Sequence, residues 1–249
     1  MCTRTIIDLN NQTLAYLQDQ DFAHAIESST CAMGIFKPVV DCCVSSTIIE
    51  CVDHCILRSS PVGQQAHSQP FIYKQGIPLP RDTTDLRMCS QILIFNSALA
   101  HQMFAEANHQ SHQQQQRDAS LGLLYKARRL YQLANSQGAV EVNVLFHFVI
   151  MNNIAVIDRT LGRNMLSKIS FCYLQAKYLL LMHQGDSERL RHLQGFRVNL
   201  RLSWRNHIWQ SEKMKSITLL YTWIDDMRGR WQATRLLLFH NPSFLHDAS

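Results

Sequence analysis

Three stretches of the chain repeat one pattern, in which two amphipathic helices follow each other in a shared register. Each leading helix carries an asparagine two residues before a small side chain: Asn11 before Thr13, Asn96 before Ala98, and Asn153 before Ala155. Small and aromatic residues then recur on the second helices: Phe22, Ala25 and Ala32; Ala127, Tyr131 and Ala134; Ser167, Phe171 and Leu174. Small residues let antiparallel helices approach closely. Because one pair cannot bury its apolar face alone, the pattern predicts at least three stacked pairs.

The composition favours the same helical fold. Nine Gly and six Pro among 249 residues are too few for a multi-stranded β architecture, which needs turn residues every ~8–12 positions. One stretch departs from the helical pattern: FIYKQGIPLP, residues 71–80, is predicted to be extended, since each proline disfavours the α region for the residue before it. We expect a short two-stranded pairing there. The predicted fold class is all-α, stacked antiparallel αα-hairpins with a small extended insert near residues 54–78.

Local signals set the expected helix ends. Asp21 is a plausible N-cap for a second helix over residues 21–36, which Pro38 is expected to end. Gly162 and Gly185 are expected to close two later helices. The segment 108–118 is polar and rich in glutamine, so it is predicted to be a solvated loop.

The first unit resembles a known repeat family. In NNQTLAYLQDQDFAHAIESSTCAMGIFKP the hallmarks of the tetratricopeptide repeat are matched by Tyr16, Phe22, Ala25, Ala32 and Pro38. Thr13 and Gln20 depart from it, because glycine is commoner at those places. With FIYKQGIPLP, ILIFNSALAHQMF, YKARRLYQLA and MNNIAVIDRTLG, the chain is similar over residues 8–185 to a large uncharacterised tetratricopeptide-like family of diatoms. The resemblance implies a helical-repeat interaction scaffold and no known reaction.

The resemblance also suggests candidate binding residues. It implies that Asn11, Asn96 and Asn153 face the concave groove, where the matching asparagine can bond the backbone of a bound peptide. The alternative is that each asparagine bonds a neighbouring helix or a loop of its own chain. The two-carboxylate clamp of chaperone-binding repeats is not supported, since Asn10 stands where that clamp has a lysine.

Catalytic and metal-binding patterns give no candidate site. The chain lacks G-x-S-x-G, H-E-x-x-H, Walker A and G-x-G-x-x-G motifs. Asp225 and Asp226 are adjacent, so on a helix their carboxylates do not face one site. Zinc ligands could be sought in residues 42–55, but Cys42 and Cys43 are adjacent and cannot readily bind one ion. We therefore expect no catalytic residue, no metal and no cofactor.

The basic character of the chain lies near its end. Residues 189–240 contain ten Lys/Arg and three Asp/Glu. Arg197, Arg201 and Arg205 are four residues apart and form one stripe on a helix. The stripe is either a solvated helix face or a docking surface for an acidic partner: an acidic peptide, an anionic membrane surface or a phosphate backbone. Nucleic acid is the weaker of these, because single-strand readers usually interleave exposed aromatics with the charge.

These patterns predict two regions: a repeat domain over residues 1–187, with an insert at 39–86, and a basic helical pair over 188–249. The leading functional hypothesis is a non-enzymatic scaffold that binds a protein or peptide in its groove. The alternative is a helical repeat associated with nucleic acid or an acidic surface through its basic end. The first residues, MCTRTIIDLNNQ, have no signal-sequence core and no apolar stretch reaches ~20 residues. An intracellular protein, cytoplasmic or nuclear, is therefore expected.

Overall fold

The computed structural model describes residues 2–42, 56, 73–81, 85–109, 114–136, 144–193, 196 and 199. Within them the secondary structure is all-helical, which confirms the predicted all-α class for this part of the chain. Helices adjacent in sequence pack against each other from α1 to α7, and α1 also contacts α3. The helices are α1 Cys2–Gln18, α2 Phe22–Cys42, α3 Leu86–His109, α4 Gln114–Ser136, α5 Val144–Thr160, α6 Asn164–His183 and α7 Ser187–His192.

The turn between α1 and α2 is closed by its own side chains and backbone. Asp21 caps α2 as predicted, because its Oδ1 accepts a hydrogen bond from the His24 backbone N–H at 3.3 Å. Gln20 adopts a positive φ of 61°, a conformation that costs a non-glycine residue roughly 1–2 kcal/mol. Gln20 thus occupies a left-handed position, which glycine adopts at lower cost.

Helix α2 does not end where the sequence suggested. It runs through Pro38 to Cys42, so the prediction that Pro38 ends it was wrong. Proline removes the hydrogen bond to the carbonyl four residues earlier, here that of Gly34. Gly34 is exposed, so water can bond its carbonyl and the helix continues past the missing bond.

The predicted loop at 108–118 is largely helical. Helix α3 continues to His109 and α4 already begins at Gln114, which leaves only residues 110–113 outside the described part. Glutamine is a good helix former despite its polarity, so a run of glutamines extends α4 backward. The loop prediction rested on the low-complexity composition and gave this helix propensity too little weight.

The later helix ends follow the predicted signals. Gly162 and Gly185 have positive φ values of 74° and 73° two residues after the last residues of α5 and α6, as expected for residues that close helices. Asp186 caps α7, since its side chain accepts a hydrogen bond from the Arg189 backbone N–H at 3.1 Å. None of the described helices combines the length and the apolar character that crossing a bilayer requires.

The core lies where small residues bring the helices together. The repeated small positions are almost inaccessible: Thr13, Ala25, Ala32, Ala98, Ala127, Ala134 and Ala155 are all 0% exposed. Helices α3 and α5 are the most buried, and every side chain from Gln91 to Gln102 is buried. A helix that is buried on all sides must satisfy its polar groups internally, and α3 and α5 both carry asparagines.

Residues 73–80, which we name the strap, form a non-helical segment before α3. Asp85 then caps α3 by accepting hydrogen bonds from the N–H groups of Arg87 and Met88 at 2.8 and 3.1 Å. The strap pairs with no strand among the described residues, so the expected two-stranded pairing is absent from this part of the insert. Ile56 is helical, and the rest of 43–72 lies outside the described residues.

Candidate functional site

Asn96, on α3, holds the backbone of Ile77 with both halves of its amide. Its Oδ1 accepts the Ile77 N–H at 2.9 Å, and its Nδ2 donates to the Ile77 carbonyl at 2.8 Å. The second Nδ2 hydrogen is donated to Oδ1 of Asn10 at 2.8 Å. Asn10, on α1, in turn donates to the same Ile77 carbonyl at 3.3 Å. Two asparagines from two helices therefore hold one strap residue.

Asn153, on α5, repeats this arrangement four residues earlier in the strap. Its Oδ1 accepts the Tyr73 N–H at 3.0 Å and its Nδ2 donates to the Tyr73 carbonyl at 3.1 Å. The same Nδ2 donates to the Tyr131 hydroxyl at 3.0 Å. Asn152 also donates to Asn153 Oδ1 at 3.2 Å and accepts from Asn199 at 2.6 Å. We call the Asn10–Asn96 pair and Asn153 the two clamps.

Each clamp does for the strap what a neighbouring strand would do. An asparagine side chain offers one carbonyl oxygen and an NH2 group with two donor hydrogens, so it can bond both backbone groups of one residue as a ladder does. A typical net contribution is about 1 kcal/mol per hydrogen bond, and leaving a buried partner unsatisfied costs about 1–3 kcal/mol. The strap therefore needs no strand partner at Tyr73 and Ile77. Because all of these hydrogen bonds are made to the backbone of the strap, none of them depends on which side chains the strap carries.

Apolar contacts add side-chain selectivity to the clamps. The Tyr73 ring stacks on Phe196 with a centroid distance of 6.2 Å and meets Phe95 at 6.3 Å and 60°. Ile77 and Leu79 are 1% and 3% exposed. Burying one such large side chain fully contributes about 1.5–3 kcal/mol. The alternating positions of the strap thus supply most of its attachment.

Gly76 lies where a larger residue would require Leu14 to move. A Cβ built at Gly76 would overlap the Leu14 methyl Cδ2 on α1 and lie 3.4 Å from Asn96 Oδ1. Glycine is therefore the residue that this position takes without displacing Leu14. A glycine directly before the aliphatic residue is part of what the groove accepts.

A polar network runs from the strap through the helices and back to it. Lys74 pairs with Glu106 at 3.3 Å, and Glu106 accepts from Gln102 at 3.1 Å. Gln102 accepts from the Tyr131 hydroxyl at 3.0 Å, which links the network to Asn153. Burial raises the pKa of Glu106, while the Lys74 ammonium opposes that shift. Burial also raises the pKa of Tyr131, so its hydroxyl stays protonated and can donate.

The three predicted groove asparagines have different places. Asn96 and Asn153 are 1% and 0% exposed and bond the strap, whereas Asn11 is exposed. Asn10 occupies the buried place on α1. The sequence does not single out Asn10, because the buried asparagine stands three residues before the small one in this unit and two residues before it in the other two. Its buried neighbours Ile6, Ile7, Thr13 and Leu17 share one helix face with it, and this periodicity was the available signal.

The strap itself was also missed as the binding partner of the asparagines. The sequence left open whether they bond a bound peptide or their own chain. The structure shows that Asn96 and Asn153 bond the backbone of their own chain. Whether an external partner uses the same atoms stays a prediction.

Other predicted positions lie outside the described residues. These are the arginine stripe Arg197, Arg201 and Arg205, the Asp225–Asp226 pair and the side chains of the cysteine cluster at 42–55. Of the basic end, residues 189–193, Phe196 and Asn199 are described, and the last two contact the strap and α5. Among the described residues no group of three or more His, Cys, Asp or Glu side chains could hold a metal ion.

Known proteins offer no counterpart from which a role for the clamps could be transferred. Comparison with protein-family models, with curated proteins and with solved structures finds no match for this chain.

Proposed function

We propose that the chain is a non-enzymatic scaffold that binds a protein or peptide partner in the groove along α1, α3 and α5. In this proposal the helical pairs form a tetratricopeptide-like stack, and the leading helices line its concave face. One observation carries the proposal: Asn96 and Asn153 each bond both backbone groups of one residue in a non-helical segment.

This geometry suits peptide recognition. Main-chain hydrogen bonds give affinity for any extended peptide, while pockets at particular side chains give specificity. The groove has both parts, because the clamps bond the backbone and the Phe95–Phe196 space takes an aromatic ring. The clamp atoms are also fixed by further bonds to Asn10 and Tyr131, so little side-chain freedom is lost on binding.

Selection from a displayed library of ten-residue peptides tests the proposal. Multivalent display detects weak binders, and selected peptides should bind the wild-type protein with an aromatic residue four positions before an aliphatic one. Asn96 holds the strap through the same two bonds, so its variant is compared in a protein whose strap is displaced by Ile77→Asp, a carboxylate at a position 1% exposed. There Asn96→Ala should weaken peptide binding about tenfold or more, because two backbone hydrogen bonds are lost.

Asn11→Ala is the matched control, since it removes an exposed asparagine from α1 and should leave binding unchanged. Circular dichroism and urea unfolding of both variants establish that they remain folded. Peptides that bind the Ile77→Asp protein equally tightly with and without Asn96→Ala, or a selection without any enriched peptide, would contradict the proposed groove.

A further inference from the structure

We propose that the strap is an internal ligand, which occupies the peptide groove and must leave before a partner peptide of the same chemistry can bind. The inference rests on the proposed function and adds to it both the ligand class and a form of regulation. Its structural basis is that residues of the chain itself already fill the clamps and the aromatic space.

The strap describes the partner. Tyr73 lies between Phe95 and Phe196, and Ile77 is held by Asn10 and Asn96. Gly76 precedes Ile77 where a Cβ would meet Leu14 and Asn96. The partner that fits is therefore an extended peptide with an aromatic residue, two variable residues, glycine and an aliphatic residue in that order. A basic residue after the aromatic one would keep the pairing with Glu106.

The strap and a partner cannot bind together. All hydrogens of Nδ2 in Asn96 and Asn153 are donated in the strap-bound state, so neither clamp has a donor for a second backbone. A partner with the same pattern would replace the bonds and the ring contacts that the strap gives up. The same clamp atoms therefore hold the strap in one state and bond the partner in the other, so that partner binding compensates for the release of the strap.

Covalent attachment gives the strap an advantage over a free peptide. Only five residues of sequence, 81–85, separate the strap from the start of α3, and a short tether corresponds to an effective concentration on the order of 1 mM. A free peptide with an intrinsic Kd near ~10 μM would therefore appear roughly 100-fold weaker while the strap competes. A partner needs higher affinity or more than one contact to displace it.

A labelled peptide of residues 71–80 tests the competition by fluorescence anisotropy against the full chain. Ile77→Asp places a carboxylate at a position only 1% exposed and should displace the strap while leaving every groove residue intact. The peptide should bind this variant roughly 100-fold more tightly than the wild type. Pro78→Asp places the same side chain at the adjacent exposed position and should behave as the wild type does.

The outcomes separate the two proposals. A folded Ile77→Asp protein that does not bind the peptide overturns the proposed groove and the internal-ligand inference together. Equal binding to Ile77→Asp and to the wild type supports the groove but overturns the competition. A wild-type dimer that dissociates on Ile77→Asp would assign the groove to the strap of a second copy and overturn the partner peptide.

Hydrogen exchange of the wild-type protein decides the matter if Ile77→Asp does not fold. The amides of Tyr73 and Ile77 should exchange at least about tenfold faster than the core amides of α3, and faster still with excess peptide. Exchange of these two amides only at the rate of the α3 core would make the strap an inseparable part of the fold and overturn the inference.

Discussion

At the scale of single residues, an amide side chain replaces a strand neighbour only when its orientation is fixed. Asn96 is fixed by Asn10, and Asn153 by Tyr131 and Asn152. A free asparagine would lose side-chain entropy on bonding a backbone, and these bonds have already restricted it. Tyr131 contributes through its hydroxyl as well as its buried ring, which meets Phe95 at 5.5 Å.

His147 shows a second use of asparagine in the core, with consequences for stability. It is 5% exposed on α5 and contacts Asn135 Oδ1 through Nδ1 at 2.8 Å and the Tyr173 ring edge-on at 5.4 Å. Burial, with a smaller contribution from the nearby Lys177 charge, lowers the pKa of His147 to about 3. The imidazole is therefore neutral in the folded protein at pH 7.

The first stability prediction follows from this difference between folded and unfolded chains. Below about pH 6.5 the unfolded chain binds a proton at His147 that the folded chain refuses until about pH 3. As the pH is lowered through this window, the free energy of unfolding therefore falls by about 1.4 kcal/mol per pH unit. In His147→Gln, the loss between about pH 6.5 and pH 5 should be about 2 kcal/mol smaller than in the wild type.

Urea unfolding at the two pH values measures this difference. His183→Gln changes an exposed histidine at the end of α6 and serves as the control, which should keep the wild-type pH dependence. An unchanged slope in His147→Gln would show that His147 does not take up the proton on unfolding.

At the scale of elements, the sequence predicted helices better than it predicted their lengths or partners. Capping residues located the start of α2 at Asp21 and the ends of α5 and α6 near Gly162 and Gly185, because caps are local properties. The predicted helix end at Pro38 and the predicted loop at 108–118 were both wrong. Proline and a polar glutamine run are signals against helix, but the neighbouring helix continues through each of them. The clamps could not be predicted in full, because nothing local indicates that Asn153 bonds a residue 80 positions away.

Helices α4 and α5 are joined by a buried ion pair that carries the second stability prediction. Arg128 Nε and Nη2 lie 2.6 and 3.3 Å from the two carboxylate oxygens of Asp158, which is 1% exposed. Burial raises the pKa of Asp158, and the Arg128 guanidinium opposes the shift. Asp158→Asn leaves the buried guanidinium without its counter-charge and should lower the free energy of unfolding by about 3–5 kcal/mol.

The double variant Arg128→Met, Asp158→Leu is the informative control. It removes both charges and retains apolar volume, so most of the lost stability should return. Urea unfolding of Arg128→Met, of Asp158→Leu and of the double variant measures the coupling energy between the two side chains. A double variant as unstable as the sum of its single changes would indicate that packing, rather than the unpaired charge, causes the loss.

At the scale of the whole molecule, the strap connects helices that the chain order alone would leave apart. In a helical stack each unit contacts only its neighbours, and such stacks can unfold in parts. The strap touches α1 through Leu14 and Asn10, α3 through Asn96 and α5 through Asn153. It therefore couples α1 to α3 and to α5, the helices that these contacts join.

Gly76→Val tests this coupling. The added side chain would push the strap away from Leu14 on α1, so amides of α1 and α2 should exchange about tenfold faster, which corresponds to about 1.4 kcal/mol. Amides of α6 should be unaffected. Gly122→Val is the matched control, because a Cβ at Gly122 meets nothing within 4 Å. Faster exchange spread equally over α1 to α6 would contradict a local coupling through the strap.

The separation of the two clamps along the chain also orders events during synthesis. Ile77 follows Asn10 and precedes Asn96 by only 19 residues, whereas Tyr73 precedes Asn153 by 80. At a translation rate of about 5–20 residues per second, Tyr73 waits roughly 4–16 s before its clamp has been made. During synthesis Ile77, at the aliphatic end of the strap, therefore has both of its asparagine partners well before Tyr73, at the aromatic end, has Asn153.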